Sequence, residues 1–142
     1  MSDIIIRPFL ETDIEDVVYL WNICGLSRPW NDPIKDIKRK LIVQREIFLI
    51  LEKDEKILGS VMGGYDGHRR SVYYLGIHPN HKNKGFGKLL MKKIEEELIQ
   101  MGCPKINLMI RDTNLDVQEF YRIIGYEKQE VVVYGKRLIP DN

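Results

Sequence analysis

The residues best suited to chemistry are two glycines in a turn that leads into a helix. Gly85 and Gly87 follow an apolar strand at residues 72–77 and a break at His78-Pro79-Asn80. Glycine lets the backbone come close to a ligand, and the free N–H groups of the first helical turn then point at it. This arrangement binds phosphate groups. The residues that we expect to take part are Lys82, Asn83, Lys84, Gly85, Phe86, Gly87 and Lys88.

The charge around this turn favours an anionic ligand. Between Gly67 and Ile94 the sequence contains no aspartate or glutamate, although the whole protein has a net charge of only +1. The basic residues in the same stretch are Arg69, Arg70, Lys82, Lys84, Lys88, Lys92 and Lys93. Since a concentration of one sign of charge attracts the opposite sign, we expect an anion here.

Two other phosphate-binding motifs do not match this turn. A dinucleotide fingerprint requires a third glycine where this chain has Leu90, and an acidic residue near Asn107. The nucleotide P-loop requires a glycine at Lys82 and a serine or threonine at Leu89. The sequence therefore excludes both a dinucleotide-binding fingerprint and a nucleotide P-loop at this turn.

The composition indicates a single globular domain over residues 1–142. Of the 142 residues, 44% are hydrophobic and 30% are charged. No window approaches the roughly 20 apolar residues of a membrane span, and the start of the chain does not resemble a signal peptide. Cys24 and Cys103 lie far apart and form no disulfide framework, so we expect a cytoplasmic protein. Because no apolar window is long enough for a span, we also expect no binding to membranes.

Hydrophobic spacing and turn residues predict a mixed α/β order of elements. Thr12 and Glu15 form a capping-box pattern before the first helix, and Asp32-Pro33 is typical of the start of the second. The predicted strands are residues 4–7, 47–52, 57–64, 72–77 and 104–110, with one or two more within 126–138. The predicted helices are residues 14–21, 33–44, 86–101 and 115–124.

Two motifs in the same order resemble those of the GNAT acetyltransferase superfamily. The run Lys-Asn-Lys-Gly-Phe-Gly at residues 82–87 is similar to its Gln/Arg-x-x-Gly-x-Gly/Ala turn, with lysine at the first position. Its second motif is matched by Asn114, Val117, Tyr121, Gly125 and Tyr126. Segments 28–33 and 63–69 resemble the YpeA-like branch, which is similar to the RimI-type enzymes that acetylate protein N-termini.

This resemblance implies the GNAT fold, an α/β (α+β) arrangement with a central mixed, mostly antiparallel sheet of six to seven strands and about four flanking helices. Two strands would part near residues 75–78, and acetyl-CoA, the acetyl donor, would lie in the gap. The turn at 82–88 would hold its pyrophosphate. The pantetheine arm would add to the strand edge at Leu75, Gly76 and Ile77, where Gly76 removes a side chain that would crowd it. Asn114 would hydrogen-bond the same arm.

The implied reaction is direct attack of a neutral primary amine on the thioester. Tyr121 matches the family tyrosine that gives a proton to the departing thiolate, and a tyrosine pKa of about 10 keeps it protonated until then. Relatives that acetylate N-termini often carry a glutamate five residues before the motif asparagine, where this chain has Met109. The general base is therefore open. The alternatives for it are Asp66, His68, Tyr73 and Asp112.

The resemblance places the acceptor amine against the connection between the first two helices. Arg28, Trp30 and Asn31 lie there, and an aromatic ring beside hydrogen-bonding groups suits a small pocket. The turn between the third and fourth strands adds Asp66 and His68. We expect a small-molecule amine or a peptide N-terminus as the acceptor, and a monomer or homodimer as the assembly.

Other classes of function fit the residues less well. A non-catalytic module that binds acetyl-CoA as a sensor or interaction domain needs only the glycine turn, so Tyr121 and Asn114 favour the enzyme. The balance of 22 basic and 21 acidic residues argues against a broad nucleic-acid-binding surface. His78 and His81 have no further ligand nearby in sequence, so we expect no metal.

Overall fold

The computed structural model describes residues 3–68 and 70–141. Arg69, one of the basic residues counted near the turn, lies outside the described residues. The chain divides into two compact units, of which the first comprises the residues up to Leu108 together with Asp141 and the second comprises Met109–Pro140. The expectation of one domain over residues 1–142 stays a prediction.

The first unit contains an antiparallel sheet with the strand order β1-β2-β3-β4. Its strands are β1 at Ile4–Pro8, β2 at Phe48–Lys53, β3 at Lys56–Tyr65 and β4 at Arg70–Ile77. Because Ser60 pairs with Gly76 while Met62 pairs with Tyr73, β4 holds one extra residue between these pairs. This extra residue forms a β-bulge. Tyr74, inside it, has a left-handed φ of 52°.

Three helices of the first unit flank this sheet, namely α1 at Ile14–Ile23, α2 at Pro33–Lys40 and α3 at Phe86–Gln100. On β3, Ser60 contacts Trp21 of α1, whereas a Cβ on the neighbouring Gly59 would lie 3.0 Å from Leu90 of α3. Successive strand residues point to opposite faces of a sheet, so α1 and α3 cover opposite faces. The core on the α1 face includes the stacked rings of Phe9 and Phe48.

The second helix begins where the sequence predicts and ends earlier. Asp32 caps α2 with its side chain, and Pro33 occupies the first turn. The predicted end at Gln44 is wrong because Gln44 has a left-handed φ of 51° and binds both backbone groups of Tyr65, at 2.5 and 2.8 Å. A residue with this left-handed backbone cannot belong to a right-handed α-helix, and its side chain instead binds the end of β3.

The second unit contains α4 at Leu115–Ile123. Asn114 caps the helix, since its Oδ1 accepts a hydrogen bond from the Val117 N–H at 3.3 Å. After the helix, Gly125 has a left-handed φ of 103°, and the Tyr126 N–H donates to the Tyr121 carbonyl at 2.9 Å. The predicted glycine stop at residue 125 is confirmed.

The number of strands is smaller than predicted. The described residues form four strands, all antiparallel, whereas the expectation was a mixed sheet of six to seven. Residues 104–110 and 126–138 do not form strands. A strand requires a ladder of backbone hydrogen bonds to a partner strand. Segment 104–110 has a single backbone hydrogen bond to β4, from the Asn107 N–H to the Arg70 carbonyl at 3.4 Å. The expectation of about four helices is confirmed, and none in the described part of the chain is long and apolar enough to cross a membrane.

Candidate active site

The turn after β4 leaves backbone N–H groups free at the start of α3. His78 closes a short 3-10 turn by accepting a hydrogen bond from the Asn80 N–H at its Nδ1, 3.1 Å away. Asn83 and Gly85 then adopt left-handed φ angles of 65° and 81°. The first bond of α3 runs from the Leu89 N–H to the Gly85 carbonyl at 3.1 Å. The N–H groups of residues 86–88 therefore precede the helical ladder.

The side chains around this turn add positive charge and an anchor. The first turn of α3 holds no acidic residue, and Lys82, Lys84 and Lys88 are exposed. Phe86 is only 5% exposed, so its ring fixes the start of the helix in the core, while its backbone N–H lies in the first turn. Lysine charges and the positive end of the helix act in the same direction on an anion.

The strand edge that should receive the pantetheine arm is bordered by the segment after α1. A Cβ on Gly76 would lie 2.9 Å from Leu26 Cδ1 and 3.3 Å from Cys24 Sγ. The Cys24 thiol also donates to the Ile77 carbonyl at 3.2 Å. The missing side chain at Gly76 therefore makes room for Leu26 and Cys24, a reason that sequence reasoning did not include.

A buried hydrogen-bond network supports the bulge just before this edge. The Trp21 indole N–H donates to Ser60 Oγ at 2.9 Å, and Ser60 Oγ donates to the Tyr74 carbonyl at 2.8 Å. The Tyr74 hydroxyl donates to Asp36 Oδ2 at 2.5 Å. Burial, followed by the hydrogen bond and charge of Asp36, raises the pKa of Tyr74. Sequence reasoning missed these residues, and no motif marks them.

The predicted acceptor residues have different roles in the structure. The Arg28 guanidinium donates to the carbonyls of Gly25 and Ser27, at 2.8 and 2.9 Å, so it closes its own loop. Trp30 is 48% exposed. Asn31 lines a cavity of about 370 Å³. The other residues that line this cavity are Pro29, Asp32, Pro33, Ile34 and Asp141.

Asp141 is the least expected residue of this cavity. Its carboxylate is almost fully buried and accepts hydrogen bonds from the Arg39 guanidinium at 2.6 and 3.3 Å and from the Asp32 N–H at 3.0 Å. Its carbonyl accepts a hydrogen bond from Lys35 Nζ at 2.9 Å. No signal in the sequence links a residue near the end of the chain to the start of α2.

The turn between β3 and β4 lies at the other end of the sheet. Asp66 Oδ1 accepts a hydrogen bond from the His68 N–H at 2.9 Å, which shapes the turn. This turn adjoins Arg70, whereas the candidate edge ends at Ile77. The eight residues of β4 span roughly 23 Å. An acceptor that contacts both this turn and the strand edge near Ile77 would therefore have to be roughly 23 Å long.

In the second unit, Tyr121 is buried, and burial raises the pKa of its phenol. Its ring meets Phe120 and Tyr126 edge to face at 5.0 and 5.4 Å. Asn114 is exposed, and its cap uses the side-chain oxygen, which leaves the amide NH₂ as a donor. Met109, at the position of the family glutamate, is 60% exposed.

Within the described residues, no three His, Cys, Asp or Glu side chains are grouped as metal ligands. The alternatives for the base are also dispersed. Tyr73 is 45% exposed on β4, next to the bulge. Asp112 belongs to the second unit, where its carbonyl accepts a hydrogen bond from Gln118.

Comparison with known proteins defines the class. The sequence profile of the Acetyltransferase (GNAT) family matches residues 11–126. A protein named "Acetyltransferase" from Yersinia pestis (strain Pestoides F) is 51% identical over 136 residues, which cover 96% of each chain. A solved aminoglycoside N-acetyltransferase, AAC(6')-Iy in complex with CoA, is similar in structure with a TM-score of 0.80 at 17% identity, over 96% of each chain. The ribosomal-protein-S18-alanine N-acetyltransferase from Escherichia coli has a TM-score of 0.73 at 17% identity, over 91% of this chain and 79% of that one.

The chain therefore belongs to the GNAT family of acetyltransferases and has the GNAT fold. Within that family it is an acetyl-CoA-dependent N-acetyltransferase.

Proposed function

We propose that this protein transfers the acetyl group of acetyl-CoA to a primary amine of a small molecule or a peptide N-terminus, by direct attack of the amine on the thioester. The observation that carries the proposal is the start of α3 at the left-handed Gly85, where no side chain caps the free N–H groups of the first helical turn. Membership of the GNAT family supports the same reaction.

The residues of the turn suit the phosphates of the cosubstrate. Backbone N–H groups of residues 82–88 would hold the pyrophosphate, with Lys82, Lys84 and Lys88 adding charge. The outer edge of β4, the last strand in the sheet order, carries backbone groups at Leu75, Gly76 and Ile77 that suit the extended pantetheine arm. The NH₂ group of Asn114 is a donor for the carbonyls of that arm.

Tyr121 is our candidate for the proton donor to the departing thiolate. Because its burial disfavours the phenolate, the hydroxyl is protonated throughout the neutral range. A protonated phenol can give its proton when the thiolate forms. The acceptor amine must reach the thioester unprotonated, since an ammonium has no lone pair for the attack.

The cavity beside Asn31 is our candidate for the acceptor site. Its volume of about 370 Å³ lies at the lower end of the range of small-molecule sites. Pro33 and Ile34 supply apolar surface, and Asn31 supplies a polar amide. The cavity begins a few residues after Leu26, which contacts β4 at Gly76 in the candidate cosubstrate edge. A small amine, or the first residues of a peptide, fits these dimensions.

The proposal is tested by calorimetry with acetyl-CoA, followed by an assay of free thiol with a panel of acceptors. The panel consists of simple amines, polyamines, aminoglycosides and peptides with free N-termini. We expect saturable thiol release with one of these classes. Absence of acetyl-CoA binding would exclude the assigned turn, and binding without transfer to any amine would favour a non-catalytic binding module.

A further inference from the structure

A second concentration of positive charge lies beside the glycine turn. Lys84 Nζ is 3.3 Å from His81 Nδ1, and the rings of His78 and His81 meet edge to face with centroids 5.6 Å apart. Partial desolvation, followed by the positive charges of Lys84, His78, Lys53 and Lys56, lowers the pKa of His81. Basic groups from two separate loops therefore converge on one side chain.

The sheet register explains this convergence. Lys53 and Lys56 pair directly across the hairpin that joins β2 to β3. The His78 N–H donates to the Leu58 carbonyl at 2.7 Å, so the chain after β4 runs alongside the start of β3. The hairpin and the loop at residues 78–84 therefore meet at the same end of the sheet.

Folding stability does not account for this cluster. Like charges directly opposite each other on neighbouring strands are destabilising, and Lys53 and Lys56 are such a pair. In the part of the chain that the structure describes, Lys53, Lys56 and Lys84 form no ion pair with a carboxylate. The acidic residues Asp54 and Glu55 occupy the hairpin turn itself with left-handed φ angles of 53° and 63°. Several positive side chains at one place without an ion-pair partner are typical of an anion-binding surface.

We propose that Lys53, Lys56, His81 and Lys84 bind the 3′-phosphate of acetyl-CoA. This inference rests on the proposed function, because the same molecule would carry its pyrophosphate on the adjacent glycine turn. Lys84 directly precedes Gly85, so the cluster and the turn are continuous along the chain. A phosphomonoester carries a charge of about −1.5 to −2 at neutral pH, and ammonium and imidazole N–H groups are its natural donors.

The test compares acetyl-CoA with 3′-dephospho-acetyl-CoA by calorimetry. We expect the wild-type protein to bind the dephosphorylated form about tenfold or more weakly, the effect of losing one or two charge-assisted hydrogen bonds. In the double variant Lys53→Gln, Lys56→Gln, acetyl-CoA should bind more weakly and the dephosphorylated form as before. The ratio of the two affinities should therefore approach one.

A control variant, Lys38→Gln with Lys128→Gln, removes the same charge from exposed positions on α2 and in the second unit and should keep the wild-type ratio. Thermal melts report folding, and loss of the like-charge pair should not lower the melting temperature of the hairpin variant. Equal affinity of the wild type for both ligands, or an equal loss in the control variant, overturns this inference while leaving the proposed function intact. Failure of the wild type to bind either ligand overturns both.

Discussion

The indole of Trp21 and the phenol ring of Tyr74 are stacked with centroids 3.8 Å apart and an interplanar angle of 11°. This contact joins α1 to the β4 bulge at a residue with a left-handed backbone. Ser60 lies between the same two residues, accepting from the Trp21 N–H and donating to the Tyr74 carbonyl. The bulge is therefore fixed by α1 immediately before the strand edge assigned to the cosubstrate.

We predict that Ser60→Ala destabilises the protein by about 2 kcal/mol, because it leaves the Trp21 N–H and the Tyr74 carbonyl without this partner in the interior. Urea unfolding measures the change. Ser71→Ala, on β4 but less buried, is the matched control and should change the unfolding free energy by less than about 0.5 kcal/mol. If the two variants are equally stable, the Ser60 bridge does not hold the bulge.

Gly85→Val should weaken acetyl-CoA binding by at least about tenfold, because a branched side chain obstructs the backbone and opposes the left-handed φ. Gly102→Val is the control at the other end of α3, since Gly102 has a similar φ of 85°. Both variants carry the same backbone strain, so thermal melts should shift alike. Calorimetry should separate them, and equal acetyl-CoA affinity would remove the turn from the cosubstrate site.

Tyr121→Phe should keep the packing of the ring and the affinity for acetyl-CoA while lowering kcat by about 10- to 10⁴-fold, the usual range for a lost general acid. Tyr19→Phe, at an exposed position on α1, controls for loss of a phenol elsewhere. Steady-state kinetics and calorimetry together give the result. Unchanged turnover in the Tyr121 variant would mean that its role is structural or that chemistry does not limit the rate.

Trp30→Ala and Asp66→Asn should raise KM for the acceptor and leave acetyl-CoA affinity nearly unchanged. Trp30 lies in the chain between Pro29 and Asn31, which both line the cavity. Asp66 lies at the far end of β4, so the effect of its substitution should appear only with long acceptors. Melting curves must accompany the kinetics, since Trp30 is about half-buried and its loss can also change stability. Folded variants with an unchanged acceptor KM would place the acceptor pocket elsewhere.

Lowering the pH should reduce the free energy of unfolding, because Asp13 then becomes protonated. Although burial alone raises its pKa, hydrogen bonds from Arg7 and the Leu10 N–H and the Arg7 charge together lower it below the usual 3.8. A pKa that is lower in the folded state stabilises the fold above the unfolded value, and this contribution is lost as the pH falls through the folded pKa.

The measurement for Asp13 is the unfolding free energy as a function of pH. Asp13→Asn should be less stable by about 2 kcal/mol at neutral pH and should show a shallower loss below about pH 4. Asp16→Asn, at an exposed position on α1, should keep the wild-type slope. Parallel curves for the Asp13 variant and the wild type would contradict the assignment.

Local signals in the sequence predicted the elements that depend on neighbouring residues. The glycine turn before α3, the cap at Asp32 and the stop at Gly125 are each defined by a few consecutive residues, and the structure contains all three. The strands predicted at residues 104–110 and 126–138 are not formed, because their apolar composition favours a strand but cannot supply the partner that a ladder needs.

The sequence by itself determined the family and the glycine turn before α3, since both depend on residue types at short, fixed spacings. Only the tertiary structure decided which distant side chains meet. Asp36 reaches Tyr74 across 38 residues, and Arg39 reaches Asp141 across 102. Lys53 and Lys56 approach His81 only because the strand register brings two loops to one end of the sheet. These long-range contacts depend on how whole strands and helices pair and pack, which no short stretch of sequence encodes.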